Sequence, residues 1–182
     1  YIQTNSTYGF LYPMAVMASH TGARRSEICR SRTEDIDFES DILLIREKKR
    51  IRGKQSFRHV PLSPFLKETL REWCSQCGDS LYTFPLDHRV RRSRNAERRE
   101  NWESVAPDEA SDHLDAVLSS GKWKHIRGWH VFRHSFISNC ASAAVDQRMI
   151  DAWVGHQTEE MRRRYRHLFP SSQRRELAKV FG

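Results

Sequence analysis

Residues 129–168 read WHVFRHSFISNCASAAVDQRMIDAWVGHQTEEMRRRYRHL, and three groups in them stand in a fixed order: His130-Val-Phe-Arg133-His134, then Gly155-His156, then Tyr165 nine residues beyond that histidine. A helical reading explains the first group. Residues 130, 133, 134 and 137 share one face of a helix, so two imidazoles and a guanidinium project together. Phe132, Phe136, Cys140 and Ala143 follow the same period on the neighbouring face, which predicts that this neighbour packs. Asp146 is placed to cap a short helix carrying Met149, Ile150, Trp153 and Val154, and Gly155 to end it. His156 then emerges just past a helix end. Thr158, with Glu159 and Glu160 in the next turn, predicts one more helix carrying Tyr165.

A second arginine cluster lies upstream in Thr21-Gly22-Ala23-Arg24-Arg25-Ser26-Glu27-Ile28, which closes one apolar helical stretch and opens another. Together these pieces resemble the catalytic domain of the tyrosine recombinases, the phage integrase and Xer-type family. The family's first box reads TGxRxSE(I/L), and residues 21–28 match it. Its second is HxxR followed by GH and a tyrosine, and residues 130–165 match that. The resemblance runs from about Phe10 to Phe181. It implies an α+β fold, mainly α-helical with a small three-stranded antiparallel sheet.

The resemblance also implies roles. Tyr165 is the nucleophile that forms a 3′-phosphotyrosyl intermediate. Arg24 and Arg133 clamp the phosphate. A hairpin lysine, Lys49 with Lys48 and Lys54 as rivals, protonates the leaving 5′-oxygen. His130 is a general base or a phosphate ligand, and His156 donates a hydrogen bond to the phosphate. Glu27 orients the arginine or histidine cluster. The residue chemistry fits such roles. A free phenol, with a pKa of about 10, is a poor nucleophile near neutrality until its proton is removed. Two guanidiniums can hold phosphate oxygens and stabilise added negative charge, so neither a metal ion nor another cofactor is expected. Energy held in the phosphotyrosine makes ATP unnecessary. The expected activity is site-specific DNA recombination or integration. The alternatives are DNA relaxation of the type IB topoisomerase kind, or a non-catalytic DNA-binding protein.

Composition bounds the reading without deciding it. The 182 residues, 38% of them hydrophobic, suffice for one domain with a sizeable core. No apolar run nears 18 residues, so no membrane span is expected. A net charge of +8 favours a polyanionic partner, here double-stranded DNA. The opening residues lack a basic segment followed by an apolar one, so a cytoplasmic protein is expected. Glu72-Trp-Cys-Ser-Gln-Cys77 looks superficially like a redox motif. It falls at the end of the apolar pattern Leu66, Leu70, Trp73, where a helix dipole would not lower a thiol pKa. Reduced thiols are the expectation.

In chain order, residues 9–20 read as a helix with Pro13 in its first turn. Arg24 follows in a tight connection that suits a group of fixed geometry. Around Ile36–Phe38, Ile42–Ile45 and Phe57–Val60 the period changes to that of three short strands. The basic run 46–56 reads as an insertion between the last two. Lys48, Lys54 and Arg25 are candidate contacts to DNA backbone, a solvated charge being the alternative for Arg25. Residues 64–76 and 108–119 read as amphipathic helices. The arginine-rich stretch 86–107 reads as a surface segment in preference to a phosphate-tracking one. Leu177, Val180 and Phe181 share a face of a final helix, which packs on its own core or on a neighbouring subunit. The family's habit implies a DNA-bound homo-multimer, a tetramer. Only about 20 residues precede Thr21, so the family's N-terminal core-binding domain is expected to be absent from these residues, leaving 1–182 as a single catalytic domain.

Overall fold

Gly22 decides where the first long helix stops. In this computed structural model, which describes residues 1–51, 54–86, 103–126, 128–155 and 178 (without the side chains of 48–51, 54 and 55), one turn at Ile2–Asn5 (α1) precedes the helix Leu11–Thr21 (α2). Pro13 lies in the first turn of α2, where a missing N–H costs nothing. Leu11, Met14, Met17 and Ala18 are buried, and α2 is the axis of the main core. Gly22 then adopts φ +63° and its N–H closes on the Ala18 carbonyl at 3.0 Å. A Cβ at this position would stand 2.8 Å from Phe136 and 2.9 Å from Val154. Both the backbone and the space therefore demand glycine. The chain turns extended through Arg24 and re-enters a short helix, Arg25–Ile28 (α3).

The sheet follows, with strands Ile36–Asp37 (β1), Ile42–Ile51 (β2) and Lys54–Pro61 (β3) in antiparallel order β1-β2-β3. Leu43 faces Val60 and Ile45 faces Arg58, and all four side chains point inward by the strand period of two. The sequence pattern predicts a second strand ending at Ile45 and a third beginning at Phe57. The strands instead continue through the basic run. Backbone pairing needs only backbone N–H and C=O groups, and charged side chains on a protruding hairpin stay solvated. Between Arg46↔Phe57 and Arg50↔Gln55 the register shifts by a bulge on β2. Arg46 anchors the base of this hairpin through Asp35, with Nη2 to Oδ1 at 2.6 Å.

Helix α4, Pro64–Cys77, starts on Ser63, whose Oγ accepts the Leu66 N–H at 3.3 Å. Leu66 and Leu70 are fully buried, each contributing on the order of 2 kcal/mol. Residues 80–84 make a single bridge, Arg32↔Tyr82. Helices Pro107–Ser119 (α5), His130–Ser142 (α6) and Gln147–Val154 (α7) complete the described chain. Phe136, Ile137, Ile150 and Val154 form a second, smaller core between α6 and α7. Asp146 caps α7 through the Arg148 N–H at 2.8 Å, and Gly155 ends it, as the sequence predicts. No described helix is long and apolar enough to cross a membrane. The arginine-rich segment 87–102, the expected helix bearing Tyr165 and all but one residue of the expected last helix lie outside the described residues.

Candidate active site

Two arginines from opposite ends of the chain meet at the turn after α2. Arg133 is only 2% exposed, and its Nη1 donates to the carbonyl oxygen of Gly22 at 2.7 Å. Arg24 sits two residues further along the same turn, its side chain 40% exposed. The turn thus carries one guanidinium and receives the other.

The sequence reading put Arg133 on a presenting face beside an apolar stripe of Phe132, Phe136, Cys140 and Ala143. Phe132, Phe136 and Cys140 do pack, but Ala143 is exposed, and the buried side of α6 also takes in Arg133, Ile137 and Ala141. A buried charge is tolerated there because the Gly22 carbonyl accepts from it. His130, one turn earlier, is exposed, and His134 is half-buried. The two imidazoles and the guanidinium therefore do not project together into one open space.

Glu27 holds Arg24 in two ways. Its Oε2 accepts the Arg24 backbone N–H at 2.8 Å and its Oε1 accepts Arg24 Nη1 at 3.0 Å. Both bonds are to the arginine of the first box. Among the described residues the Arg24 guanidinium bonds only Glu27, which leaves donors of its five N–H groups available.

Arg58 was missed at the sequence level. It is 7% exposed and faces Glu27 from β3. Nη2 donates to Glu27 Oε2 at 2.6 Å, Nη1 reaches Glu27 Oε1 at 3.3 Å and Glu47 Oε1 at 3.2 Å, and Nε donates to the Trp153 carbonyl at 2.7 Å. Its signal was present in the strand alternation: with Val60 inward, Arg58 must be inward too. Burial alone would raise the Glu27 carboxyl. The bond and charge of Arg58, with the Arg24 N–H and charge, outweigh it and hold Glu27 below the ordinary range.

His130 and Arg24 line one cleft of about 220 Å³, together with Arg25, Ser26, Ser111 and Trp129. Arg25 turns toward α5, bonding the Ser111 hydroxyl and lying 3.8 Å from Asp108. Lys48, Lys49 and Lys54 belong to the paired strands of the hairpin, but their side chains lie outside the described residues, as do His156 and Tyr165. His156 directly follows Gly155, whose φ is +76°. A Cβ at Gly155 would stand 2.7 Å from Glu47 Oε1.

The cysteines are free. Burial pushes the Cys29 thiol up to about 12, and burial with the neighbouring Cys74 pushes Cys77 up to about 11. Both Cys74 and Cys77 sit in the last turns of α4, where the helix dipole does not favour a thiolate.

Chemically, the arrangement offers a half-open guanidinium fixed by a carboxylate, a second, buried guanidinium bonded to the same turn, and an imidazole lining the cleft of the first. Such a set suits a phosphodiester oxygen pair. The chain is similar to tyrosine recombinase XerC of Xanthomonas campestris pv. campestris (strain B100), 28% identical over 149 residues, covering 81% of this chain and 41% of that protein. It is 30% identical over 136 residues to tyrosine recombinase XerA of Pyrococcus furiosus, covering 75% and 42%. The chain thus spans about two fifths of the length of these relatives. In fold it is similar to a Tn1549 transposon integrase solved with transposon right end DNA, with TM-score 0.70 at 16% identity, covering 100% of this chain and 62% of that one. A crystal structure of XerA recombinase matches with TM-score 0.67 at 20% identity, covering 98% and 59%. Residues 2–172 match the model of the phage integrase family, and the chain belongs to that family.

Proposed function

We propose that this chain is the catalytic part of a site-specific recombinase that cuts and rejoins double-stranded DNA through a covalent bond to Tyr165. The observation that carries the reading is the convergence of Arg133 and Arg24 on the Gly22–Arg24 turn, with Glu27 fixing the second of them. Two guanidiniums brought together from distant boxes are what a pentacoordinate phosphorus needs, because charge grows on its non-bridging oxygens as it forms.

In the proposed step the Tyr165 oxygen attacks the phosphorus and the P–O5′ bond breaks. The phenol proton passes to His130, and Lys49 protonates the leaving 5′-oxygen. A 3′-phosphotyrosine and a free 5′-hydroxyl result, and the reverse reaction with another 5′-hydroxyl rejoins the strand. His156 donates to a phosphate oxygen. Arg24 and Arg133 take the charge-neutralising part, so no metal or other cofactor enters. Lys48, Lys54 and Arg25 contact DNA backbone, the first two from the hairpin. Assembly as a tetramer on DNA and a cytoplasmic location belong to the same proposal. Binding by these residues alone is weak and salt-sensitive, because further phosphate contacts come from outside them.

The test is strand transfer. Supercoiled plasmid and a labelled duplex are incubated with the protein in EDTA. Relaxed plasmid together with label joined across two DNA molecules is the expected result. Relaxation without joining would indicate topoisomerase-like chemistry. DNA bound but left intact would indicate a DNA-binding protein.

A further inference from the structure

We propose that Arg58 is a positioning residue for DNA cleavage, a role that rests on the function proposed above. One guanidinium ties together three elements that carry separate parts of the site. Nη2 and Nη1 hold both oxygens of Glu27, and Glu27 holds the backbone and the side chain of Arg24. Nε holds the Trp153 carbonyl, three residues before His156. Nη1 also holds Glu47, at the start of the β2 bulge that leads to Lys48 and Lys49.

Every donor nitrogen of this side chain has an acceptor, and the residue is 7% exposed. So little of it reaches the surface that it acts through its neighbours rather than on a phosphate directly. The geometry is specific to arginine. The planar fork spans a carboxylate on one edge and a carbonyl at Nε on the other. A lysine ammonium keeps the charge but presents all its donors from one atom, so it cannot span Glu27 and Trp153 together.

The consequence is coupling. The turn bearing Arg24 and the helix end before His156 keep one spacing because one rigid plane is bonded to both. Releasing it lets each drift by a fraction of an ångström, which is enough to misplace a phosphate contact without unfolding the domain.

The test compares wild type with Arg58→Lys and Arg58→Gln. Covalent adduct formation is followed under single-turnover conditions on a nicked duplex that prevents religation, and DNA affinity is measured in parallel. The expected result is a folded variant with affinity within about threefold of wild type and an adduct rate lower by about 100-fold. The loss shrinks to about threefold or less when Arg58→Lys is combined with Arg24→Lys, because the two act through one contact. An unchanged rate, or an undiminished loss in the Arg24→Lys background, overturns the proposal. Failure of both variants to fold makes Arg58 purely structural and overturns it too.

If wild type forms no adduct, the functional reading fails, and amide hydrogen exchange still decides the coupling. The Glu27 N–H, bonded to the Arg24 carbonyl, and the Gly155 N–H, bonded to the Asp151 carbonyl, should both exchange about tenfold faster in Arg58→Lys. The Lys67 N–H at the start of α4 should not change. Acceleration at only one of the first two amides, or everywhere equally, overturns the coupling.

Discussion

Arg133 Nη1 lies 2.7 Å from the Gly22 carbonyl oxygen, a bond that spans 111 residues of sequence. It joins the helix of the second sequence box to the turn of the first. The bond is possible because α6 packs against α2 at the point where Gly22 leaves room for Phe136. Packing and chemistry are therefore set by the same glycine.

Gly22→Ala should be strongly destabilising. It places a Cβ 2.8 Å from a Phe136 ring carbon and 2.9 Å from a Val154 methyl, at a φ of +63° that L-residues adopt at a cost. We expect a loss of about 2–4 kcal/mol in urea denaturation. A change below about 0.5 kcal/mol would show that the turn relaxes freely.

Glu27 makes stability depend on pH in one direction. Its folded pKa is lower than its ordinary value of 4.5. A carboxyl depressed on folding contributes stability that is complete above the unfolded pKa and is lost as pH falls through the folded one. Wild type should therefore lose stability as pH falls below about 4.5, a component absent from Glu27→Gln. Near pH 7, Glu27→Gln should cost about 3 kcal/mol, because the buried Arg58 guanidinium loses its main counter-charge. Parallel acid limbs in the two proteins would contradict this.

Gly155→Ala should separate function from folding. The φ of +76° and the approach to Glu47 Oε1 both oppose a side chain, but Glu47 can move. We expect about 1 kcal/mol of destabilisation, measured by thermal melting, with a much larger loss of DNA cleavage because His156 is displaced. Cleavage that falls only in step with stability would argue against a role for the residue after Gly155.

The cysteines should be poor nucleophiles. With Cys77 raised to about 11, its alkylation by iodoacetamide at pH 8 should be roughly 100-fold slower than that of a free thiol. A rapidly labelled Cys77 would reopen the redox reading of the Cys74–Cys77 pair.

Much of this was legible in the sequence because the signals were local. Asp146 and Gly155 bound α7 by capping chemistry, and Gly22 ends α2 by its left-handed turn. The rest depends on what lies across the interior. Arg133 belongs to the buried side of α6 because a carbonyl from residue 22 meets it, and no helical period reveals such a partner. Arg58 resembles a surface charge in a basic hairpin until the strand pairing with Ile45 turns it inward. The strands' extension to Ile51 and Lys54 was hidden because charge patterns describe side chains, while the ladder is made by the backbone.

The proposed function rests on a covalent bond between Tyr165 and DNA. Trapping the reaction with SDS, digesting the protein and mapping the DNA-linked peptide tests it most directly. The linked peptide should contain Tyr165, and Tyr165→Phe should form none. An adduct on Tyr1, Tyr8, Tyr12 or Tyr82, or one that survives Tyr165→Phe, would contradict it.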